Sequence, residues 1–426
     1  MSLHIIHSNR VENLLDDLSY KIAIPHPQAG FLDGEVVLLD NPVLGKWLNL
    51  QLAGKNKIAA NIQYVQLSRF FWDLARSLLS AYIPKHAPLD KVEMTWRLMG
   101  LLENEQILES TALKPVKAYL AGDKFTDLKR YQLAVSVADL FDQYLIYRPD
   151  WINKYWDKNK NITLAGEQAP GSLWQSSEAW QKVLWAKMVE PLDDSNAPHH
   201  RADILISLLK TLEGDLAANA LKFHRLFVFG VTSMPESQID LLMLLGKHID
   251  ISLYVLNPCE HEWFGIRSHK QVIKLEQSLW RKHEADEVRR KREVTELSGE
   301  LEFMEVGNPL LAGQAVQVQE FIELIYEKTD NYQEQSKIES FEGFEDPGQE
   351  TLLDCIQKEI LELQYRGEVA QLKDAGGDRL SIPEREFKPA DQQFPSIHIH
   401  NCHSPQREVE VLHDQLLDLF NKDKSL

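Results

Sequence analysis

Cysteine is scarce in this chain, and the few cysteines present form no recognisable pattern. The 426 residues include three, Cys259, Cys355 and Cys402, which lie far apart and show no CxxC spacing. Structural zinc sites and disulfide frameworks depend on closely spaced or paired cysteines. Neither kind of site is therefore indicated, and the cysteine content fits a reducing compartment.

Long apolar runs are also missing. No run reaches the roughly 18 consecutive apolar residues that a membrane-spanning helix needs. The opening segment MSLHIIHSNR has neither the basic stretch nor the apolar stretch of a secretory signal. We therefore expect a soluble, cytoplasmic protein.

An excess of basic residues is missing as well. Lys and Arg number 46 against 64 Asp and Glu, which gives a formal net charge of −18, whereas a nucleic-acid-binding surface normally carries excess Lys and Arg. The densest basic cluster, RRKR at residues 289–292, is flanked by Glu287 and Glu293, which is typical of a solvated helix face. Charge alone thus argues mildly against nucleic acid, and any DNA would have to meet a local basic channel or basic neighbouring subunits.

The motifs of nucleotide-binding enzymes and hydrolases are not found. A phosphate loop needs glycines whose N–H groups surround the phosphates, but the first strand-to-helix turn, HSNR at residues 7–10, has none. Gly45-Lys46 resembles the end of such a loop, yet Asp40 stands at the place of its first glycine and Trp47 at that of the Mg²⁺-binding Ser or Thr. The later strand RLFVF ends without the carboxylate that would hold Mg²⁺. GxSxG and GxGxxG patterns do not occur either.

What the sequence does contain is an alternation of strand and helix patterns, which predicts an α/β fold with a parallel sheet. The apolar strand patterns lie at residues 3–7, 35–39, 225–229 and 251–256, and between about 88 and 198 long helical patterns replace them. The acidic segment 329–347 predicts a loop. We predict an α/β domain of residues 1–88 with 199–375, a helical insertion domain of residues 89–198, and a last segment, 376–426, with a linker and the first strand (396–401) and helix of a second, truncated α/β domain.

The most informative segment is ADLFDQYLIYRPDW at residues 138–151. Its apolar residues recur at helical spacing and predict one buried stripe, while Asp139, Asp142 and Gln143 fall on the rest of the same helix. Arg148 ends the helix, because a residue that precedes proline is disfavoured in the α region. A packed helix thus carries a short polar row that ends in a guanidinium group.

This segment resembles the RecC family, the gamma subunits of exodeoxyribonuclease V, the RecBCD helicase-nuclease. Four further segments agree in the same order along the chain: HSNR at 7–10, IAANI at 58–62, VGNPLL at 306–311 and CHSPQREVEVLHD at 402–414. RecC proteins are much longer, so we expect an amino-terminal fragment. The resemblance implies a superfamily one helicase-like parallel sheet core with a large helical insertion, in which the ATPase motifs are lost.

The resemblance also implies a function. It indicates a non-catalytic DNA-binding subunit of an ATP-dependent helicase-nuclease for double-strand break repair and recombination, which guides the 3′ single strand and scans it for a hotspot (Chi-like) sequence. Single- and double-stranded DNA ends would be its ligands. No cofactor is expected in this chain, because RecB-like helicase-nuclease and RecD-like helicase partners would use ATP and Mg²⁺.

Eleven positions match the DNA-contacting positions of the family by resemblance. They are Asp40, Pro42, Lys46, Gln66, Trp72, Asp139, Leu140, Asp142, Gln143, Arg148 and Arg201. The family carries amide-bearing residues near 36–47, where this chain has Asp40, Pro42 and Lys46, and an apolar residue in place of Gln66. We therefore expect an altered or relaxed sequence preference, since each base contact is worth about 1–3 kcal/mol of discrimination.

Other interpretations of these residues stay open. Phe70, Phe71 and Trp72 also suit a helix that places two of the three rings in the core. The aspartates of residues 138–151 also suit an Asp–Arg pair that joins helix to loop or, if other carboxylates lie close, a metal-dependent nuclease. His200, like the histidines at 398–403, belongs to no recognisable metal-binding motif and is predicted to be an ordinary surface residue.

Two alternatives concern the whole chain. The charge of −18 favours a protein-only assembly scaffold for the partner helicase-nuclease subunit. A disguised active ATPase or nuclease is the other, and the missing glycine loop and strand-end carboxylate count against it.

Overall fold

The computed structural model describes residues 2–30, 32–79, 83–84, 89–122, 126–162, 173–190, 200–216, 220–267, 305–332, 337–364 and 395–422. The chain forms two compact units, Met1–Leu256 with Glu320–Gly343 and Asn257–Gln319 with Phe344–Leu426. The basic cluster at 289–292 and most of the predicted linker after residue 376 lie outside the described residues. No described helix is long and apolar enough to cross a membrane.

A six-stranded sheet lies in the first unit, and all its neighbouring strands are parallel. Its strands are β1 (Ser2–Ser8), β2 (Glu35–Leu39), β3 (Ile62–Gln66), β4 (Arg225–Val228), β5 (Asp250–Leu256) and β8 (Lys337–Glu342), in the order β3-β2-β4-β5-β1-β8. The second unit contains a short parallel pair, β6 (Ile266–Arg267) and β7 (Glu305–Val306). The central strands are continuous apolar runs because both of their faces are buried. The predicted α/β fold with a parallel sheet is confirmed.

Helices account for most of the remaining described residues. They are α1 (Val11–Ala23), α2 (Pro42–Asn56), α3 (Leu67–Leu78), α4 (Lys91–Glu103), α5 (Glu105–Leu108), α6 (Lys114–Leu120), α7 (Thr126–Tyr147), α8 (Leu173–Val189), α9 (Arg201–Glu213), α10 (Glu236–Leu245), α11 (Pro309–Gln314), α12 (Val316–Tyr332), α13 (Leu352–Leu361) and α14 (Pro405–Lys422), with a 3₁₀ turn at Thr111–Leu113 and a π-helical turn at Trp151–Trp156. The helical patterns predicted between 88 and 198 are thus confirmed. The domain boundaries drawn from the sequence stay predictions.

The helices between β3 and β4 share an aromatic core. Phe141, buried on α7, meets Trp156 and Trp185 edge-on, with ring centroids 6.0 and 5.5 Å apart. The predicted stripe of α7 is confirmed, because Val137, Phe141 and Leu145 are buried. Tertiary packing therefore fixes which face of α7 remains available to solvent.

Three predictions of local structure were wrong, and all involve strands with little burial. β3 was missed, and the loop predicted over 329–347 contains the end of α12 and β8. β3 and β8 are the two edge strands of the sheet, and neither has a continuous apolar run. The strand predicted at 396–401 does not form in the described structure, where Ile399 is 92% exposed. Alternating apolar residues alone do not make a strand, because its backbone groups need a partner strand.

Candidate nucleic-acid interface

Asp40 and Gln66 lie at the carboxyl edge of the sheet. Leu39 pairs with Gln66 across β2 and β3, so Asp40 follows directly after the partner of Gln66. Both residues are exposed, and burial of part of the Asp40 carboxyl by the surrounding protein raises its pKa. The parallel register thus brings together two positions that lie 26 residues apart in the sequence.

The first turn of α2 adds Pro42 and Lys46 to the same edge. The side chain of Asn41 caps the helix by accepting the Val43 N–H at 2.8 Å, and Pro42 occupies the first turn, where its missing N–H has no cost. Lys46 lies four residues after Pro42, on the same side of the helix. Both side chains are exposed, so the first two turns of α2 add a cation that is available to solvent.

Gly45 has a packing role here. A Cβ at this position would lie 3.1 Å from Leu39 Cδ1 and 3.2 Å from Tyr64 Cβ. Glycine therefore allows α2 to approach β2 and β3 closely. Gly45 lies inside a helix, which agrees with the sequence argument that Gly45-Lys46 is not the end of a phosphate loop.

The turn between β1 and α1 uses its polar groups internally. The Ser8 hydroxyl donates to the carbonyl oxygen of Gly343 at 2.7 Å and accepts the Arg10 N–H at 3.0 Å. His7, 1% exposed, is the next-to-last residue of β1, and its ring stacks on Tyr326. The turn therefore does not present the ring of free N–H groups on glycines that a phosphate cradle requires.

A cleft of about 190 Å³ lies between α3, α7, α9 and α10. Phe71 and Trp72 line it from α3, Leu145 and Ile146 from α7, and Arg201 from α9. The Trp72 indole N–H donates to the carbonyl oxygen of Pro84 at 2.9 Å, which fixes the ring plane. The prediction that two of the three aromatic rings lie in the core is corrected, because only Phe70 is fully buried.

Arg201 connects this cleft to the polar row of α7. Its Nη1 lies 3.5 Å from Asp142 Oδ1. Asp142 and Arg201 therefore form an Asp–Arg pair, an alternative that the sequence left open, although it joins α7 to α9 and not a helix to a loop. Arg201 also lines the cleft together with Trp72. Both side chains keep partial exposure, 26% for Asp142 and 37% for Arg201, so neither is sealed inside the protein.

The rest of the row lies farther along α7. Asp139 forms an ion pair with Lys91 of α4 and accepts a hydrogen bond from Gln143 Nε2 at 3.2 Å. Leu140 is half-buried beside them. Arg148 follows the end of the helix, exposed, with its guanidinium 5.8 Å from the centre of the Trp151 ring.

The structure thus places the predicted residues in four groups: the sheet edge, the Trp72–Arg201 cleft, Asp139 with Gln143 on α7, and Arg148 at the carboxyl end of α7. Gln66 directly precedes α3, so the sheet edge leads to the Trp72–Arg201 cleft. Asp139 with Gln143, and Arg148, lie at other points of α7, and Arg148 is about 14 Å along the axis from Asp139 at 1.5 Å per residue. Lys91 could not be predicted from the sequence, because its ion pair with Asp139 depends on the packing of α4 against α7.

Asp157, His200 and Asp203 form a cluster that the sequence did not indicate. They are the only group among the described residues whose possible metal-ligand atoms all lie within 4.8 Å of one another. The surface prediction for His200 is wrong, because the residue is 1% exposed. His200 Nδ1 accepts the Asp203 N–H at 3.3 Å and caps α9, so Nε2 carries the proton and donates to Asp157 at 3.1 Å.

A metal ion fits this cluster poorly. A metal ion bound through Nε2 would displace the proton from that nitrogen, and the imidazole hydrogen would then lie on Nδ1. Nδ1 could no longer accept the Asp203 N–H, and two hydrogens would face each other there. We expect that Zn²⁺, Mn²⁺ and a chelator leave Tm unchanged in thermal unfolding of the whole chain, since a ligand that binds only the folded state raises Tm. A rise in Tm with Zn²⁺ that Asp157→Ala abolishes would contradict this.

Comparison with known proteins shows which family the chain resembles. The model of the RecC N-terminal domain matches residues 3–363. The chain is 33% identical over its whole length to the RecBCD enzyme subunit RecC of Escherichia coli K12, 29% identical over 99% of its length to that of Haemophilus influenzae, and 24% identical over its whole length to that of Mycolicibacterium smegmatis. It spans 36%, 37% and 32% of the length of these three relatives.

Proposed function

The chain belongs to the RecC family, and from this premise we propose that it is a DNA-binding subunit, without catalysis of its own, in a RecBCD-type complex. The observation that carries the proposal is the cleft that Trp72 and Arg201 share. A cavity of about 150 Å³ can hold a benzene ring, so about 190 Å³ leaves room for a six-membered base ring. A flat ring and a guanidinium facing one space suit a nucleobase.

The proposed path of the strand follows three of these four groups of side chains. Gln66 and Lys46 line the sheet edge, Trp72 and Arg201 the cleft, and Arg148 the end of α7. Asp142 forms an ion pair with the Arg201 guanidinium, as a carboxylate can for an arginine that meets a base or phosphate. Side chains in this order would contact successive bases as the strand moves past them. This supports guidance of the 3′ strand and scanning for a hotspot (Chi-like) sequence.

The proposed preference for bases differs from that of the family. Asp40, Pro42, Lys46 and Gln66 stand where the family pattern has other side chains, and all four are exposed. Lys46 cannot accept a hydrogen bond and Asp40 cannot donate one when ionised. Each change would shift discrimination at its base by about 1–3 kcal/mol.

The remaining functions are assigned to partners. RecB-like and RecD-like subunits would supply helicase and nuclease activity with ATP and Mg²⁺. The β1–α1 turn supports this division, because its Ser8 hydroxyl is already bonded within the chain. A scaffold that contacts only protein is the competing function, favoured by the charge of −18 and by the ion pairs that occupy Lys91 and Arg201.

The salt dependence of binding separates the two functions. We expect the whole chain to bind a labelled single-stranded oligonucleotide with log affinity falling by about 2 per unit of log salt, since Lys46, Arg148 and Arg201 would each contribute about 0.7. Fluorescence anisotropy across a salt series measures this slope. Binding without salt dependence, or no binding, would support the scaffold.

Two arginine variants make this test specific. Arg148→Gln should reduce the slope by about 0.7, because one phosphate contact is lost. Arg407→Gln is the matched control, because Arg407 of α14 forms a surface ion pair with Glu410 outside the proposed path. Equal effects of the two variants would show that the slope reflects overall charge.

A further inference from the structure

We propose that His200 is a positioning residue, which together with Asp157 and Trp185 fixes the first turn of α9 and thereby the guanidinium of Arg201. The inference rests on the proposed function, since Arg201 matters only if the cleft binds DNA. Arg201 directly follows His200 and is the first residue of α9. Whatever fixes the start of this helix therefore fixes the backbone that carries the guanidinium.

His200 holds the start of α9 through both of its ring nitrogens. Nδ1 accepts the Asp203 N–H, and the backbone carbonyl accepts the same N–H at 3.2 Å. Nε2 donates to Asp157 Oδ2 at 3.1 Å and lies 3.6 Å from Asp203 Oδ2. The usual N-cap residues, Ser, Thr, Asp and Asn, have shorter side chains than histidine. The imidazole is long enough to cap the helix and reach another element at once.

Asp157 connects this cap to two other elements. It follows the π-helical turn Trp151–Trp156, and its backbone N–H donates to Ile152 at 2.9 Å. Its Oδ1 accepts the Trp185 indole N–H at 3.0 Å, so each carboxylate oxygen has a partner. The His200 ring also packs on Trp185, with centroids 5.4 Å apart. We call Asp157, Trp185 and His200 the clasp; it joins the π-helical turn, α8 and α9.

Arg201 needs such support because its own ion pair is weak. The 3.5 Å contact with Asp142 is partly exposed, and pairs of this kind contribute little. An arginine side chain has many rotamers, so the pair alone does not restrict the guanidinium to the cleft. Once the clasp fixes the start of α9, fewer conformations remain that reach both Asp142 and the cleft.

A double-mutant cycle on the whole chain tests the proposal. Binding of a labelled single-stranded oligonucleotide is measured for wild type, Arg201→Ala, His200→Ala and the double variant. We expect Arg201→Ala to weaken binding about tenfold in the wild-type background and less than about twofold in the His200→Ala background. Asp157→Ala should reduce the contribution of Arg201 in the same way. An undiminished tenfold effect in both backgrounds would overturn the proposal.

His248 provides the matched control. Its Nε2 lies 2.9 Å from the carbonyl oxygen of Leu212, near the other end of α9. His248→Ala thus removes a histidine that secures the same helix about 16 Å from Arg201. Arg201→Ala should keep its tenfold effect in this background. An equal loss of the Arg201 effect would show that any loosening of α9 suffices, which would overturn the specific role of His200.

Hydrogen exchange gives a readout that needs no DNA. Amide protection of residues 201–206 should fall about tenfold in His200→Ala and Asp157→Ala and remain unchanged in His248→Ala. Unchanged protection in the first two variants would overturn the proposal. If the wild-type chain does not bind DNA, the proposed function fails, and exchange still decides whether the clasp holds this turn. Should His200→Ala not fold, His200→Asn keeps a strong cap but is too short to reach Asp157, and it should show a partial loss in both assays.

Discussion

Replacement of Trp72 by alanine is expected to weaken binding of single-stranded DNA by about 5- to 150-fold, because stacking of a base on an aromatic ring contributes about 1–3 kcal/mol. Trp72 lines the cleft with its ring held by the hydrogen bond to Pro84. Fluorescence anisotropy with the whole chain measures the loss. Trp72→Phe should recover most of the affinity, because it keeps an aromatic face and loses only the indole donor.

Trp96 offers the matched control for this substitution. It is 63% exposed on α4 and lies outside the cleft. Trp96→Ala removes the same side chain and should leave DNA affinity unchanged. Equal losses in Trp72→Ala and Trp96→Ala would contradict a stacking role for Trp72, as would an unchanged affinity in both.

The assembled complex gives a second readout for Trp72. With RecB-like and RecD-like partners present, Trp72→Ala should reduce the response to a hotspot sequence while unwinding remains largely intact. The reason is that stacking in the cleft serves recognition, whereas the motors would lie in the partners. Loss of assembly instead would mean that Trp72 supports the fold.

The interior of the sheet could be predicted from the sequence, whereas its edges could not. The strands β2, β4 and β5 are apolar runs because both of their faces are covered, and that pattern is local. The edge strand β3 has the pattern IQYVQ, with Gln63 and Gln66 exposed. Its pairing depends on the register with β2, which no local pattern encodes.

The segments that carry the family resemblance have local structural roles. Asn61 of IAANI adopts a φ of 58° and accepts the Glu35 N–H through its carbonyl at the start of β2. In VGNPLL, the Asn308 side chain caps α11. In CHSPQREVEVLHD, the Ser404 hydroxyl accepts the Arg407 N–H at the start of α14. Helix caps and turns admit few residue types, which gives each of these three segments a local structural reason for its residues.

The relative positions of candidate interface residues could be predicted from the sequence only where the residues lie on one helix. Asp139, Asp142 and Gln143 share α7, so helical spacing places them correctly. The contacts of Asp139 with Lys91 and of Asp142 with Arg201 cross 48 and 59 residues of sequence. The clasp at His200 was missed for the same reason, because its three residues come from three separate elements. Long-range packing, and not local pattern, determines which polar side chains meet.

The second large expected effect is a loss of folding stability at acid pH, caused by the buried side chain of His7. The residue is the next-to-last of β1, is 1% exposed, and stacks on Tyr326 with ring centroids 5.7 Å apart. Its Nδ1 has no hydrogen-bond partner among the described residues. Burial disfavours the charged imidazolium and lowers the pKa of His7 from 6.5 to about 4.

The unfolded chain therefore binds a proton at His7 that the folded chain does not take up until pH falls to about 4. Stability is unaffected by this group above pH 6.5 and falls as the pH drops from 6.5 to about 4, by about 3 kcal/mol in total. Between pH 7.5 and 5 the loss is about 2 kcal/mol. Chemical denaturation at these two pH values measures it.

His7→Phe isolates this contribution, because phenylalanine keeps a ring against Tyr326 and does not titrate. We expect its free energy of unfolding to fall by about 2 kcal/mol less than that of the wild type between pH 7.5 and 5. His413→Phe is the control, since that histidine is 70% exposed on α14, and it should follow the wild type. Parallel pH profiles for the wild type and His7→Phe would show that burial does not lower the pKa of His7 in the folded protein, which would contradict the prediction.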